Sequence, residues 1–239
     1  MQKKSEQLLL DLPHRVALGR NDFLVTPSNA GAVALIDQWP KWPAYGAIIE
    51  GPEGCGKSHL VEVWLQQNAG EMTTATKIDV DGIPNLLKAG AAAIEDIHSS
   101  GVDERALFHA LNFAKQESKF LLLTSRLPSQ KLQFKIPDLA SRIQALPSVQ
   151  VLPPDDALLR GVLVKLFADR QIFVDEGLIS YVLMRMPRSL GAARNLVSEI
   201  DKLALIERAE VTKQLVARVI AKFESIDLFT STDNSFTQL

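Results

Sequence analysis

The sequence predicts an α/β domain built on a five-stranded parallel sheet, followed by a small helical domain. Five short apolar runs alternate with amphipathic helical segments in the first part of the chain, an order typical of a parallel sheet covered by helices on both faces. The pattern changes at Pro153-Pro154, beyond which the periodicity indicates helices alone. We therefore expect two domains and two tails, with boundaries at residues 1–12, 13–153, 154–224 and 225–239.

Composition excludes several classes of protein. The 239 residues are 46% hydrophobic and 23% charged, which is typical of a folded globular chain. A net charge of −2 gives no general attraction to nucleic acid or to an anionic membrane. The single cysteine excludes an internal disulfide, and no apolar run approaches the length of a transmembrane helix. We expect a cytoplasmic protein that makes no membrane contact.

Each element follows from local periodicity. Buried strands are expected at the five apolar runs, which are residues 45–50, 76–80, 91–95, 120–124 and 149–152. Helices are expected after Ser28 as a capping residue, over residues 57–67 and over residues 103–115. Beyond the proline pair, polar capping residues precede four further apolar-periodic segments and predict four helices; these caps are Asp155 or Asp156, Asp175, Ser189 and Thr212.

A phosphate-binding motif follows the first predicted strand and opens a predicted helix. Its residues Gly51-Pro52-Glu53-Gly54-Cys55-Gly56-Lys57-Ser58 match the pattern G-x-x-x-x-G-K-[ST]. Glycines allow the backbone N–H groups to turn toward phosphate, and the helix N-terminus adds partial positive charge. Lys57 is expected to reach the β- and γ-phosphates, and Ser58 to hold Mg²⁺. In this context, phosphate binding is favoured over a glycine-rich turn with a solvated lysine.

An acidic pair ends the third predicted strand. Glu95 and Asp96 follow the apolar residues 91–94. Glu95 is expected at the metal-facing position, directly or through water, and Asp96 where a carboxylate orients the attacking water. Such a pair alone is more often part of a solvated loop. Its place downstream of the phosphate motif favours the functional interpretation.

With these motifs placed, the chain resembles AAA+ proteins of the DnaA family, which includes the replication initiator DnaA and its shorter relative Hda. The resemblance extends from about residue 20 to residue 222. It is carried by Gly56-Lys57-Ser58-His59-Leu60 (Walker A), Ile94-Glu95-Asp96-Ile97 (Walker B), and Asp22-Phe23-Leu24-Val25 with Ser28-Asn29 (the segment that wraps the adenine). It implies an AAA+ P-loop NTPase core, a four-helix lid, and ADP or ATP with Mg²⁺ as the ligand.

The resemblance also implies residue roles. Nucleotide would contact Phe23, Val25, Gly51, Gly54, Cys55, Gly56, Lys57, Ser58 and His59. Arg142, in Leu139-Ala140-Ser141-Arg142-Ile143, matches an arginine finger that acts in trans on a neighbouring subunit's ATP. Arg194, in Arg194-Asn195-Leu196, matches sensor 2. For both arginines the alternative is a surface salt bridge. Leu123-Thr124-Ser125 resembles the sensor 1 strand end, although Arg126 stands where relatives carry an acid.

The N-terminal residues Gln7-Leu8-Leu9-Leu10-Asp11-Leu12 resemble the hexapeptide by which Hda docks on the replication sliding clamp. Leu8, Leu10 and Leu12 would fill an apolar pocket, with Gln7 hydrogen-bonding beside it. The alternative is a leucine-rich tail that packs on its own domain. Residues 225–229 resemble the pentapeptide form of clamp ligand without its leading Gln, and packing on the lid is favoured there.

The chain stops soon after Phe223, too early for the DNA-binding domain of DnaA, which favours an Hda-type member. The resemblance then implies a regulator that reaches DNA mainly through the clamp, promotes hydrolysis of DnaA-bound ATP and negatively regulates initiation. The alternatives are an ATPase that hydrolyses its own ATP, such as a helicase loader, and an adaptor with a structural nucleotide. The sequence leaves open intrinsic ATP turnover, and whether the chain forms a homodimer or larger homo-oligomer.

Overall fold

A computed structural model describes residues 24–230, with only the backbone described from residue 224 onward. These residues form two compact units, one ending at Pro154 and one starting at Asp155, next to the proline pair at which the sequence pattern changes. The first unit contains a sheet with helices, and the second contains helices only. Over residues 24–230, no helix has the length and apolar character needed to cross a membrane.

The first unit is built on a parallel sheet whose strand order is β2-β3-β4-β1-β5. Its strands are β1 Gly46–Glu50, β2 Glu71–Thr74, β3 Ala91–Glu95, β4 Phe120–Ser125 and β5 Ser148–Gln150. Because the strands are parallel, the loops that follow β1, β3 and β4 leave the sheet at the same edge. In open α/β sheets, this carboxyl edge is where ligands bind.

Helices cover both faces of the sheet. They are α1 Ala30–Asp37, α2 Lys57–Asn68, α3 Ile83–Leu86, α4 Glu104–Gln116 and α5 Pro137–Gln144, with a 3₁₀ turn at Ser129–Lys131. On one face, α1 and α2 pack against strand residues that include Ile49 and Leu122. On the other, α3, α4 and α5 pack against Ile48 and Leu123. The alternation of neighbouring strand residues between two cores explains the continuous apolar runs of β1 and β4.

The prediction of a strand at residues 76–80 is wrong. The strand at this place is β2, Glu71–Thr74, and the chain turns after it, with Lys77 N–H donating to Thr74 O at 2.9 Å. β2 lies at the edge of the sheet and has exposed or half-buried side chains, so no apolar run marks it. The apolar residues of 76–80 form a loop instead, in which Ile78 is buried and Val80 is exposed.

The prediction that Ser28 caps α1 is also wrong. The N-cap residue is Asn29, and Ser28 is buried with its hydroxyl 2.7 Å from that of Thr26. Asn29 Oδ1 accepts from Thr26 N–H at 2.9 Å, and its Nδ2 donates to Leu24 O at 2.9 Å. The side chains of Ser28 and Asn29 bond to residues that precede the helix. They therefore do not accept a backbone N–H from the first turn of α1.

The second unit consists, over residues 155–230, of four helices around one apolar core. They are α6 Asp156–Ala168, α7 Glu176–Leu183, α8 Leu190–Glu207 and α9 Lys213–Thr230. The side chains of Asp155, Asp175 and Ser189 cap the first three by accepting a backbone N–H of the first turn. Helix α9 passes the predicted boundary at 224 because no glycine or proline interrupts it, so residues 225–229 have a helical backbone.

Trp64 on α2 is the largest fully buried side chain among residues 24–223. Its replacement therefore tests the packing of the first unit. Trp64 stacks on Trp42 with ring centroids 5.4 Å apart and meets Trp39 edge-on at 6.1 Å. We expect Trp64→Ala to lower the free energy of unfolding by about 3–5 kcal/mol, measured by urea denaturation, because it leaves a cavity.

Trp64→Phe is the matched control for this substitution. The indole N–H of Trp64 is buried and has no hydrogen-bond partner among the described residues, so phenylalanine sacrifices no hydrogen bond and retains an aromatic ring. We expect the loss for Trp64→Phe to be clearly smaller than that for Trp64→Ala. Equal losses for the two variants would contradict this packing.

Candidate functional site

The loop of residues 51–58, called the P-loop below, joins the end of β1 to the start of α2. Gly51, Gly54 and Gly56 have φ angles of 154°, 72° and 104°, a region that favours glycine. A Cβ atom at Gly51 would lie 2.4 Å from Val151 O, so no side chain fits there. Gly51 N–H donates to Ser125 O at 3.0 Å. The glycines and the end of β4 together fix the curvature of the P-loop.

Lys57, the first residue of α2, points back into the P-loop. Its Nζ donates to Gly51 O at 2.7 Å and to Pro52 O at 2.8 Å, and the residue is 8% exposed. The ammonium group is therefore held at a glycine-rich turn beside a helix N-terminus, where anions are favoured. This arrangement fits the phosphate groups of a nucleotide.

The other P-loop residues lie around this lysine. Cys55 is buried, with Sγ 4.0 Å from Lys57 Nζ. Burial raises the pKa of the Cys55 thiol, while the charge of Lys57 opposes that rise. Ser58 is exposed in the first turn of α2, and His59 Nδ1 lies 3.7 Å from Glu62 Oε2. The thiol is therefore a packing group, whereas the Ser58 hydroxyl is open to ligands.

The acidic pair lies at the same edge of the sheet. Asp96 follows β3 with a φ angle of 59°, a left-handed conformation in which aspartate is enriched. Its N–H donates to Thr124 Oγ1 at 3.1 Å, and Ile97 N–H donates to Thr124 O at 3.0 Å. The Ser125 hydroxyl bonds to the backbone of Leu127 instead. The structure therefore places Thr124, and not Ser125, beside the residue that follows Glu95.

Three further side chains at this edge are not assigned by the sequence. His98 Nδ1 accepts from Arg126 N–H at 3.2 Å and lies 3.9 Å from Asp96 Oδ1. Burial lowers the pKa of His98; Asp96 opposes this effect, and the charges of Arg126 and Lys57 add to it. Arg126 also donates to Glu53 Oε2 at 2.5 Å. The sequence marked Arg126 only as a residue that stands where an acid was expected, and it gave no signal for the contacts of Arg126 with His98 and Glu53.

Arg142 lies on α5 and is not part of the hydrogen-bond network around Lys57. Its guanidinium carbon is 5.0 Å from the centroid of the Phe108 ring on α4, which is a cation–π contact. No carboxylate among residues 24–223 forms an ion pair with it, so the structure gives no surface salt bridge at this position. Arg194 is exposed on α8, in the helical unit.

The remaining predicted residues are placed as follows. Val25 is partly buried against the core beneath α1 and α2. Phe23 and the predicted clamp-binding residues Gln7, Leu8, Leu10 and Leu12 lie outside the described residues. Among the side chains that the structure describes, residues 24–223, no group of three or more His, Cys, Asp or Glu is arranged to hold a metal ion.

Comparison with known proteins places this geometry in a fold. No protein-family model matches the chain. Domain III of the replication initiation protein DnaA from Thermotoga maritima is similar with a TM-score of 0.71 and 21% identity, over 84% of this chain and 95% of that domain. DnaA from Aquifex aeolicus bound to AMPPCP gives a TM-score of 0.62 and 19% identity, over 77% of this chain and 65% of that one.

A DNA motor is similar as well. The RuvB Holliday junction branch migration motor of Thermotoga maritima gives a TM-score of 0.57 and 15% identity, over 74% of this chain and 61% of that one. The chain has an AAA+ P-loop NTPase fold. The predicted fold class, a five-stranded parallel sheet with helices on both faces followed by a helical part, is therefore confirmed. At these identities the likeness extends to the fold, and this chain spans less than two thirds of the longer DnaA and RuvB chains.

Proposed function

We propose that the chain is an adenine-nucleotide-binding regulator of replication initiation, in the DnaA family and of the Hda type. The observation that carries the proposal is the phosphate cradle, in which Lys57 Nζ is held against the P-loop by the carbonyl groups of Gly51 and Pro52. A similar DnaA structure is described as bound to AMPPCP, which supports ATP or ADP as the ligand.

Each residue at the carboxyl edge has a role in this proposal. The P-loop N–H groups and Lys57 bind the phosphates, and Phe23 and Val25 contact the adenine. The Ser58 hydroxyl and the Glu95 carboxylate are oxygen donors of the kind that Mg²⁺ prefers. Bound Mg²⁺ offsets the phosphate charge. Asp96, whose backbone is fixed by Thr124, orients water near the terminal phosphate.

Arg142 acts outside this chain's own site. We assign it to the ATP bound on DnaA, where a guanidinium offsets the charge that develops during phosphoryl transfer. Two observations support this role: Arg142 has no carboxylate partner among residues 24–223, and the Phe108 ring restricts its side chain. Arg194, exposed on α8, remains the proposed sensor 2 residue. Clamp docking through residues 7–12 brings the regulator to DNA.

The proposal is tested by measuring hydrolysis of DnaA-bound ATP with and without DNA-loaded clamp. We expect the intact chain to stimulate hydrolysis only with the clamp, because docking raises the local concentration of Arg142 near DnaA. Deletion of residues 2–12 should remove the stimulation and leave nucleotide binding unchanged. Leu8→Ala should likewise reduce the stimulation. Leu9→Ala is its matched control and should stimulate normally, since residue 9 lies at a variable position of the Q-L-x-L-x-L pattern. Full stimulation by the deletion variant would show that the peptide is not the docking element.

Turnover of the chain's own ATP is the second candidate function. The hydrogen bond from Asp96 N–H to Thr124 Oγ1 favours this second function. The bond fixes an acidic residue beside a polar strand end, as hydrolysis of the chain's own ATP requires. Hydrolysis by the purified chain without DnaA, lost in Asp96→Asn, would support this candidate. Hydrolysis that depends on DnaA and on Arg142 supports the regulator.

A further inference from the structure

We infer that Arg126 binds the terminal phosphate of ATP in this chain's own site, and that Glu53, its ion-pair partner, competes with that phosphate for the guanidinium group. The inference rests on the proposed nucleotide site and adds a residue that selects ATP over ADP. It begins from the ion pair between Arg126 and Glu53, whose N···O distance is 2.5 Å.

This ion pair connects two parts of the site. Glu53 is the third residue of the P-loop, and Arg126 follows the last residue of β4. The strand end and the P-loop are already joined through the backbone, because Gly51 N–H donates to Ser125 O at 3.0 Å. The guanidinium group of Arg126 starts from this strand end and contacts a residue of the P-loop itself.

The backbone of Arg126 fixes which end of the nucleotide this group meets. Its N–H donates to His98 Nδ1 at 3.2 Å, and the same imidazole nitrogen lies 3.9 Å from Asp96 Oδ1. Asp96 is the residue proposed to orient water at the terminal phosphorus. If Asp96 has that role, Arg126 lies on the side of the site that would bind the γ-phosphate of ATP, a group that ADP lacks.

Arg126 can exchange Glu53 for a phosphate group because its ion pair with Glu53 is weak. The side chains of Arg126 and Glu53 are 45% and 75% exposed, and such pairs contribute about 0–1 kcal/mol. A phosphate carries more charge than a carboxylate and accepts two parallel N–H bonds from the guanidinium fork. Glu53 therefore competes with phosphate for Arg126, and its own negative charge repels the incoming nucleotide.

The experiment is a titration of the full chain with a non-hydrolysable ATP analogue and with ADP, followed by calorimetry. We expect Arg126→Ala to raise the Kd for the ATP analogue about tenfold and the Kd for ADP by less than about twofold. Glu53→Gln should lower the Kd for the ATP analogue several-fold, and most of that gain should disappear in the double variant. Thermal melts of the unliganded variants should match the unmodified chain, since the ion pair between these two solvent-accessible side chains contributes little to stability.

Arg105→Ala is the control, because Arg105 is an exposed arginine of the same unit. It should leave both Kd values unchanged. Equal weakening of ADP and of the ATP analogue by Arg126→Ala, or no weakening of either, overturns the assignment of Arg126. A Glu53→Gln gain that persists in full without Arg126 overturns the role of Glu53. If the unmodified chain binds neither nucleotide, the proposed site itself is wrong and the inference is lost with it.

Discussion

Replacing Lys57 by alanine is expected to weaken nucleotide binding about 100-fold or more. Lys57 Nζ is the cation of the phosphate cradle, and it is held at 2.7–2.8 Å by the carbonyl oxygens of Gly51 and Pro52. Hydrogen bonds to charged groups contribute about 1.5–3 kcal/mol each, and several are lost with this side chain. The substitution also leaves the carbonyl oxygens of Gly51 and Pro52 without the hydrogen bonds that Lys57 Nζ donates to them.

Calorimetric titration with ADP and with a non-hydrolysable ATP analogue measures the effect. Lys119→Ala is the control. The Lys119 ammonium lies 5.3 Å from the centroid of the Phe113 ring, and Lys119 precedes β4, at the opposite edge of the sheet from the P-loop. The Lys119→Ala variant should bind both nucleotides normally. Circular dichroism of the unliganded variants separates loss of binding from loss of fold. Unchanged affinity in a folded Lys57→Ala chain would remove the phosphate site from the proposal.

The parts of the fold that the sequence predicts correctly are those with a local cause. β1 and β4 are buried on both faces, so their apolar runs are continuous and indicate strands. Asp155, Asp175 and Ser189 cap helices through bonds to residues only a few positions away. β2 has no such local cause, because an edge strand is defined by its pairing with β3 and its side chains remain half exposed.

The candidate site also contains some features that the sequence predicts and others that it does not predict. The P-loop is predictable because its glycines and Lys57 act within one short turn, so spacing alone specifies their geometry. The contact between Arg126 and Glu53 joins residues 73 positions apart, and only the sheet brings them together. The ring of Phe108 beneath Arg142 has the same origin, since α4 and α5 meet on one face of the sheet. Residue type predicts neither contact.

Arg142→Ala is expected to abolish the stimulation of DnaA-bound ATP hydrolysis. A guanidinium supplied in trans is worth about 10³–10⁵ in rate where it stabilises phosphoryl transfer, so the rate should fall to that of DnaA alone. Nucleotide binding by this chain should not change, because Arg142 contacts Phe108 and takes no part in the hydrogen bonds of the P-loop. The measurement is single-turnover hydrolysis of ATP preloaded on DnaA, with DNA-loaded clamp present.

Three variants distinguish a finger from a general surface charge. Arg142→Lys keeps the charge and loses the planar fork, so it should recover little of the stimulation. Phe108→Leu keeps an apolar contact and removes the ring, so it should give an intermediate rate, because the guanidinium is then less well oriented. Arg105→Ala removes an exposed arginine from α4 and should stimulate normally. Full stimulation by Arg142→Ala, or equal losses in Arg142→Ala and Arg105→Ala, would falsify the finger assignment, because a finger requires one guanidinium in one place.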